Sequence, residues 1–289
     1  MVRLADAAFA RPVTPDDYCQ QKAAASGSSF YYSFLFLPPE RRRAITALYA
    51  FCREVDDVVD ECTEPQLAHA KLGWWRAEVA NLFAGDPQHP VTNALRPFLE
   101  KFQITAERLN EIITGMEMDL TQTRYLDFAA LERYCYHVAG AVGLLAAGIF
   151  GYRDPRTLEY AKDLGTAFQL TNIIRDVGED ARKNRIYLPI DELQKFAVKA
   201  SAILNESHSD SFVRLMRYQA ARANSYYEKA ILALPADDRR AQRPGLIMAA
   251  IYRATLAEIE RDGFRVLDRR TSLTPLRKFW LAWKTWITE

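Results

Sequence analysis

The sequence predicts a single all-α domain, and three observations carry that expectation. Apolar residues recur at helical spacing over long stretches, proline and glycine punctuate the short connections, and no alternating segment finds a strand partner. The domain is expected to span residues 1–289, because neither an internal repeat nor a low-complexity linker divides the chain.

Thr14 as N-cap and Pro15 in the first turn open a short helix to about Ala25. The polar stretch from Ser26 to Ser29 interrupts it. Phe30–Leu37 reads as helix leading into the Pro38-Pro39 break. A helix from Pro39 to Cys62 follows, with Ala44, Leu48, Phe51, Val55 and Val58 or Val59 as its apolar stripe. Pro65 to Ala84, Val91 to Phe102 and Thr105 to Thr121 are the next three. Asp127 caps a long apolar helix reaching Phe150, with Gly151 as terminator. Asp154-Pro155 opens another, ending near Asp180 to Lys183. Arg185 to Pro189 is a loop, one or two short helices lie between Ile190 and Ile203, and Ser209–Leu234 and Gly245–Leu267 are long helices. Pro275 starts a final amphipathic stretch over 275–289.

Hydrophobic residues make up 49% of the chain and charged residues 26%, with a formal net charge of +1. That near-neutrality argues against nucleic acid as a partner. Cys19, Cys52, Cys62 and Cys135 show no CxxC spacing, and the N-terminus carries Asp6, Asp16 and Asp17 instead of a basic segment before an apolar run. A cytoplasmic location is the expectation, with any membrane association peripheral.

Two acidic stretches dominate the chemistry. Arg53-Glu54-Val55-Asp56-Asp57-Val58-Val59-Asp60 stacks Asp56 and Asp60 on one helix face, and Asn172-Ile173-Ile174-Arg175-Asp176-Val177-Gly178-Glu179-Asp180 does the same for Asn172, Asp176 and Asp180. Stacked like charges weaken a helix, so a compensating cation is expected. Magnesium takes oxygen ligands and commonly bridges carboxylates to phosphates. Asp57 points about 100° away from Asp56, beside the ligands instead of among them. Arg53 and Arg175 offer planar forks suited to phosphate oxygens. Tyr49, one turn before Arg53 on the same face, is either a diphosphate-binding hydroxyl or a core tyrosine.

Tyr49 to Asp60, Tyr134-Cys135-Tyr136-His137-Val138-Ala139-Gly140-Ala141-Val142-Gly143, and Gln169 to Asp176 through Tyr187-Leu188-Pro189 resemble the squalene/phytoene synthase family. The similarity runs from about Tyr18 to Ile259. Ser28-Ser29-Phe30-Tyr31-Tyr32 and Gly115-Met116-Glu117-Met118-Asp119 look most like its bacterial presqualene diphosphate synthases of hopanoid-type squalene pathways.

The resemblance implies an isoprenoid synthase fold, a helical bundle whose two acidic helices face each other across a central cavity and hold several magnesium ions. Asp56, Asp60, Asn172, Asp176 and Asp180 would be the ligands. Arg53, Arg175, Ser26, Ser29, Arg185 and Tyr187 would meet diphosphate, with Tyr252 a further substrate-binding residue. Phe30, Phe34, Val138, Ala141, Val142 and Leu145 would line the cavity. Ala139, Gly140, Ala141 and Gly143 would let a chain pass or pack helices closely. Tyr134 and Gln169 match positions beside the reacting carbons, where Tyr134 would stabilise a cation or assist proton removal, with diphosphate the rival base.

The expected reaction is head-to-head condensation of two farnesyl diphosphates to presqualene diphosphate, without NADPH. Squalene or dehydrosqualene formation, phytoene synthesis from geranylgeranyl diphosphate, and an inactive scaffold of the same fold are the alternatives. Downstream enzymes of the squalene pathway are candidate partners. The tail from Leu276 to Ile287 mixes aromatic and basic residues, as a helix on a membrane surface or one packed on the body would.

Overall fold

The computed structural model describes residues 13–25, 30–34, 36–62 and 64–289. Ser26 and Ser29 lie outside the described residues. Among the described residues fourteen α-helices follow one another: α1 (Pro15–Ala25), α2 (Phe30–Phe34), α3 (Pro39–Glu61), α4 (Pro65–Ala84), α5 (Pro90–Leu95), α6 (Ala106–Thr121), α7 (Phe128–Cys135), α8 (Ala141–Phe150), α9 (Arg156–Arg182), α10 (Ile190–Lys195), α11 (Ala200–Leu204), α12 (Asp210–Ala233), α13 (Arg243–Arg261) and α14 (Pro275–Thr288). Among the described residues the extended backbone amounts to one isolated bridge, Arg124 to Ile186. No helix of these is long and apolar enough to cross a membrane.

Local chemistry starts and stops these helices as the sequence suggested. The side chains of Thr14, Thr105, Asp127 and Ser209 each accept a backbone N–H of the first turn, and Gly85 closes α4 at φ 90°. Two expectations needed correction. The helix over Val91–Phe102 ends at Leu95 and passes into a single 3₁₀ turn at Arg96–Phe98, because Pro97 has no N–H to continue the ladder. The helix from Gly245 stops at Arg261, where the backbone turns through Gly263 and Phe264 at positive φ.

Two cores result. One gathers α1 through α6 with α8 around Leu48, Phe51 and Leu72; the other gathers α7, α9, α12 and α13 around Phe212, Tyr227 and Ile259. The expected α3 stripe is buried throughout, and each such large apolar side chain contributes roughly 1.5–3 kcal/mol. Phe30 and Val138 pack against both cores. Between the cores runs an apolar cavity walled by α2, α3, α8, α9 and the start of α13.

Candidate active site

Helices α3 and α9 give the cavity its polarity. Ile45, Leu48, Tyr49 and Cys52 of α3 line it, as do Leu164, Phe168, Gln169 and Asn172 of α9. One turn further along each helix comes its acidic motif. Both motifs therefore emerge at the same end of the cavity, and both at a helix C-terminus, where the backbone already carries partial negative charge. Helix α3 has no basic residue in its last turn.

The carboxylates crowd one another. Burial, with help from Asp176 and Asp119, pushes Asp180 up to about 7. Burial also raises Asp56, to about 6; Arg53 opposes the shift, while Asp60, Asp119 and Asp57 reinforce it. Asp119 of α6 thus sits within electrostatic reach of both motifs. Its own carboxylate is raised by burial, against the pull of two tyrosine hydroxyls.

The protein's own cations meet most of this charge. Arg53 is forked between Asp56 and Asp57, each at 2.5 Å. Lys183 reaches Asp60 at 3.0 Å, with Arg185 at 3.7 Å from the same oxygen. Arg175 binds Asp176 through two nitrogens, at 2.8 and 2.6 Å, and Arg270 meets Asp176 from the other side at 2.9 Å. Burial opposes the Arg175 charge, but the hydrogen bond and charge of Asp176 outweigh it and hold the guanidinium above its ordinary range. Asp57 also pairs with Lys22 at 2.7 Å, so it faces α1 while holding Arg53. Arg182 turns away to Glu206.

The donor set suits a hard cation. Asp56, Asp60, Asp176 and Asp180 supply oxygen, and the Oδ1 atom of Asn172 is buried without a hydrogen-bond partner. Among the described residues no three acidic side chains converge on one point, and arginines and a lysine pair with Asp56, Asp60 and Asp176. Those same arginines are the groups suited to phosphate oxygens.

Phe30, Phe34, Val138 and Val142 line the cavity, and Tyr49 and Gln169 line it too. Phe30 stands 5.6 Å from the Tyr49 ring and 6.5 Å from that of Tyr252, which lies 4.8 Å from Phe168. Tyr252 also lies against Arg175 and Asn172. Ala141 and Leu145 need correcting. Both are buried in the first core, and Ala139, Gly143, Ala146 and Ala147 face the cavity instead. The cause is a π-helical turn at Tyr136–Gly140, which widens the helix between α7 and α8 and shifts its register. Gly143 also packs against the Ala161 backbone, so small residues here serve both helix contact and cavity.

Tyr134 and Tyr187 meet at Asp119. Tyr134 is absent from the cavity lining, and both hydroxyls donate to Asp119, each at 2.8 Å. Their rings stack at 5.2 Å.

Three charged residues at the acidic mouth escaped sequence reasoning: Asp119, Arg270 and Lys278. Arg270 is delivered by a close approach. Gly178 donates its N–H to the Val266 carbonyl at 3.1 Å, and any Cβ there would strike the Leu267 carbonyl oxygen. Lys278 of α14 is lowered by burial and by Arg175 and Arg270, which places it at the same mouth.

A family model for squalene/phytoene synthase matches residues 23–277. The 15-cis-phytoene synthase of Synechocystis sp. is 36% identical over 282 residues, covering 92% of this chain and 84% of that protein. The phytoene synthase of Arthrospira platensis is 36% identical, covering 92% of both. Among solved structures, a ligand-bound dehydrosqualene synthase superposes with a TM-score of 0.84 at 29% identity, covering 94% of this chain and 95% of that one. The squalene synthase HpnC from Alicyclobacillus acidocaldarius gives 0.78 at 27%, covering 86% and 94%. The paired acidic helices, the cavity between them and these similarities lead to one conclusion: the chain belongs to the squalene/phytoene synthase family of prenyltransferases.

Proposed function

We propose that the protein joins two prenyl diphosphates head to head, with geranylgeranyl diphosphate as preferred substrate and phytoene as product. One observation carries the reaction class: α3 and α9 wall a single apolar cavity and deliver both acidic motifs at the same end. A prenyl diphosphate has that same polarity, a charged head on an apolar tail. The preference for the longer substrate rests on the phytoene synthases among its relatives, and it revises the farnesyl diphosphate reading.

Arg53, Arg175, Arg185, Arg270 and Lys278 are positioned to hold diphosphate oxygens at the mouth. Magnesium, held by Asp56, Asp60, Asn172, Asp176 and Asp180, would neutralise the departing diphosphate. The allylic C–O bond breaks with its electron pair leaving on the diphosphate. The double bond of the second chain then attacks the cation, and loss of a proton closes a cyclopropane. Departure of the second diphosphate, rearrangement and loss of another proton give phytoene, with no reductant consumed. Phe30, Tyr49 and Phe168 line the cavity with aromatic rings that would stabilise positive charge without trapping it, and the apolar wall keeps water out. With Tyr134 turned to Asp119, the released diphosphate is the favoured proton acceptor.

Condensation of two farnesyl diphosphates to presqualene diphosphate is the second reading, favoured by the likeness to dehydrosqualene and squalene synthases. Chain length is decided at the closed end of the cavity, where Phe150, Tyr160, Gln242 and Gly245 meet. A Cβ at Gly245 would stand 2.5 Å from the Tyr160 hydroxyl, so a larger residue there fills the end. Incubating the protein with equal amounts of the C15 and C20 diphosphates should yield mainly the C40 product, and Gly245→Leu should shift yield toward C30. A wild-type preference for C30 would return the assignment to farnesyl diphosphate.

A further inference from the structure

Helix α14 has two apolar faces, and the protein covers one of them. Inward, Ala282 is fully buried, and the Trp286 ring stacks on Phe36 at 5.0 Å with the Arg243 guanidinium 4.9 Å away. Outward, Leu276, Trp280, Trp283 and Ile287 recur at helical spacing and are 83%, 52%, 50% and 57% exposed, with Phe279 beside them at 49%. No other helix among the described residues exposes such a row. Lys284 and Arg277, the latter paired with Glu258 of α13, lie beside it, and no Asp or Glu occurs between Pro275 and Thr288.

The helix also lies in a telling place. Its start brings Lys278 to the acidic mouth, and its end ties Glu289 to Arg239 at 2.6 Å near the closed end of the cavity. Between these points it packs on α2 and α13, which themselves wall the cavity. A 14-residue helix thus runs along the outside of the cavity, apolar side outward.

We propose that α14 is an interfacial helix that seats the enzyme on a bilayer containing anionic lipid, with the Leu276, Trp280, Trp283 and Ile287 row among the acyl chains and Arg277 and Lys284 at the headgroups. An apolar row rich in tryptophan, basic residues beside it and no acidic residue within the helix fit a lipid surface. Seating rests on this surface alone; its use, passing a wholly apolar product to the membrane, rests on the proposed reaction.

The test is co-sedimentation of the full chain with phosphatidylglycerol/phosphatidylcholine vesicles. Wild-type protein should bind, more weakly in high salt, and brominated lipid should quench its tryptophan fluorescence. The double substitution Trp280→Glu and Trp283→Glu should lower the partition coefficient at least tenfold, while its circular dichroism and its turnover in detergent stay unchanged. Equal vesicle binding by variant and wild type would overturn the proposal. So would a wild-type dimer that binds no vesicles and is dissociated by these substitutions, since a second copy would then own the surface.

Discussion

Asp180→Asn is expected to make the magnesium-free protein harder to melt while lowering turnover about 10²–10³-fold. The two effects share one cause. Asp180 carries its charge at the C-terminal end of α9, where burial and the neighbouring Asp176 and Asp119 push it up to about 7. A carboxylate raised on folding imposes no penalty below its unfolded value near 3.8; the penalty grows as pH rises and is complete above about 7. Removing the charge therefore stabilises the fold at pH 8, by about 2–4 °C per kcal/mol of relieved repulsion. The advantage should vanish near pH 4. Thermal melts in a chelator at both pH values, beside a turnover assay at saturating magnesium, check both halves. A variant that melts earlier than wild type at pH 8 would mean that Asp180 is structurally paired; near-wild-type turnover would remove it from the diphosphate site.

Arg175→Lys keeps the charge yet should reduce kcat/KM by at least about 10²-fold. The Arg175 side chain is 18% exposed and grips both oxygens of Asp176 while lying against Tyr252. A lysine is a point charge on a flexible stem and reproduces neither the fork nor its fixed plane. Because the proposed task is to stabilise charge that develops as the C–O bond breaks, the loss should fall mainly on kcat. Arg182→Lys is the matched comparison, since Arg182 meets Glu206 at the surface. Equal effects from the two substitutions would show that Arg175 acts through bulk charge.

These residues also mark how far sequence reasoning reaches. Helical period exposed the α3 stripe, and oxygen-rich caps at Thr14, Thr105, Asp127 and Ser209 fixed helix starts within a residue. The acidic motifs stood out because like charges at i and i+4 inside apolar sequence need a reason. Arg270 and Lys278 carried no such signal. Each stands beside a second basic residue, Arg269 or Arg277, and only tertiary packing selects the one that reaches the mouth, Arg270 by the loop lying on Gly178. Asp119 was visible as the end of the Gly115–Asp119 run but not as a site residue; two distant tyrosine hydroxyls hold it beside the acidic motifs. Ala141 and Leu145 were assigned to the cavity on a regular helix, and the π turn moved the lining to their neighbours. The charged motifs were legible because their spacing stands out in the sequence, whereas the contact of Gly245 with Tyr160 at the far end of the cavity is made only by packing.

The most direct test of the central claim is to incubate the purified protein with magnesium and geranylgeranyl diphosphate alone, and to identify the extracted products by mass spectrometry. The account predicts a C40 hydrocarbon containing two chains joined head to head, with two diphosphates released per product. Unreacted substrate, or prenyl alcohol without any coupled product from either the C20 or the C15 diphosphate, would contradict it.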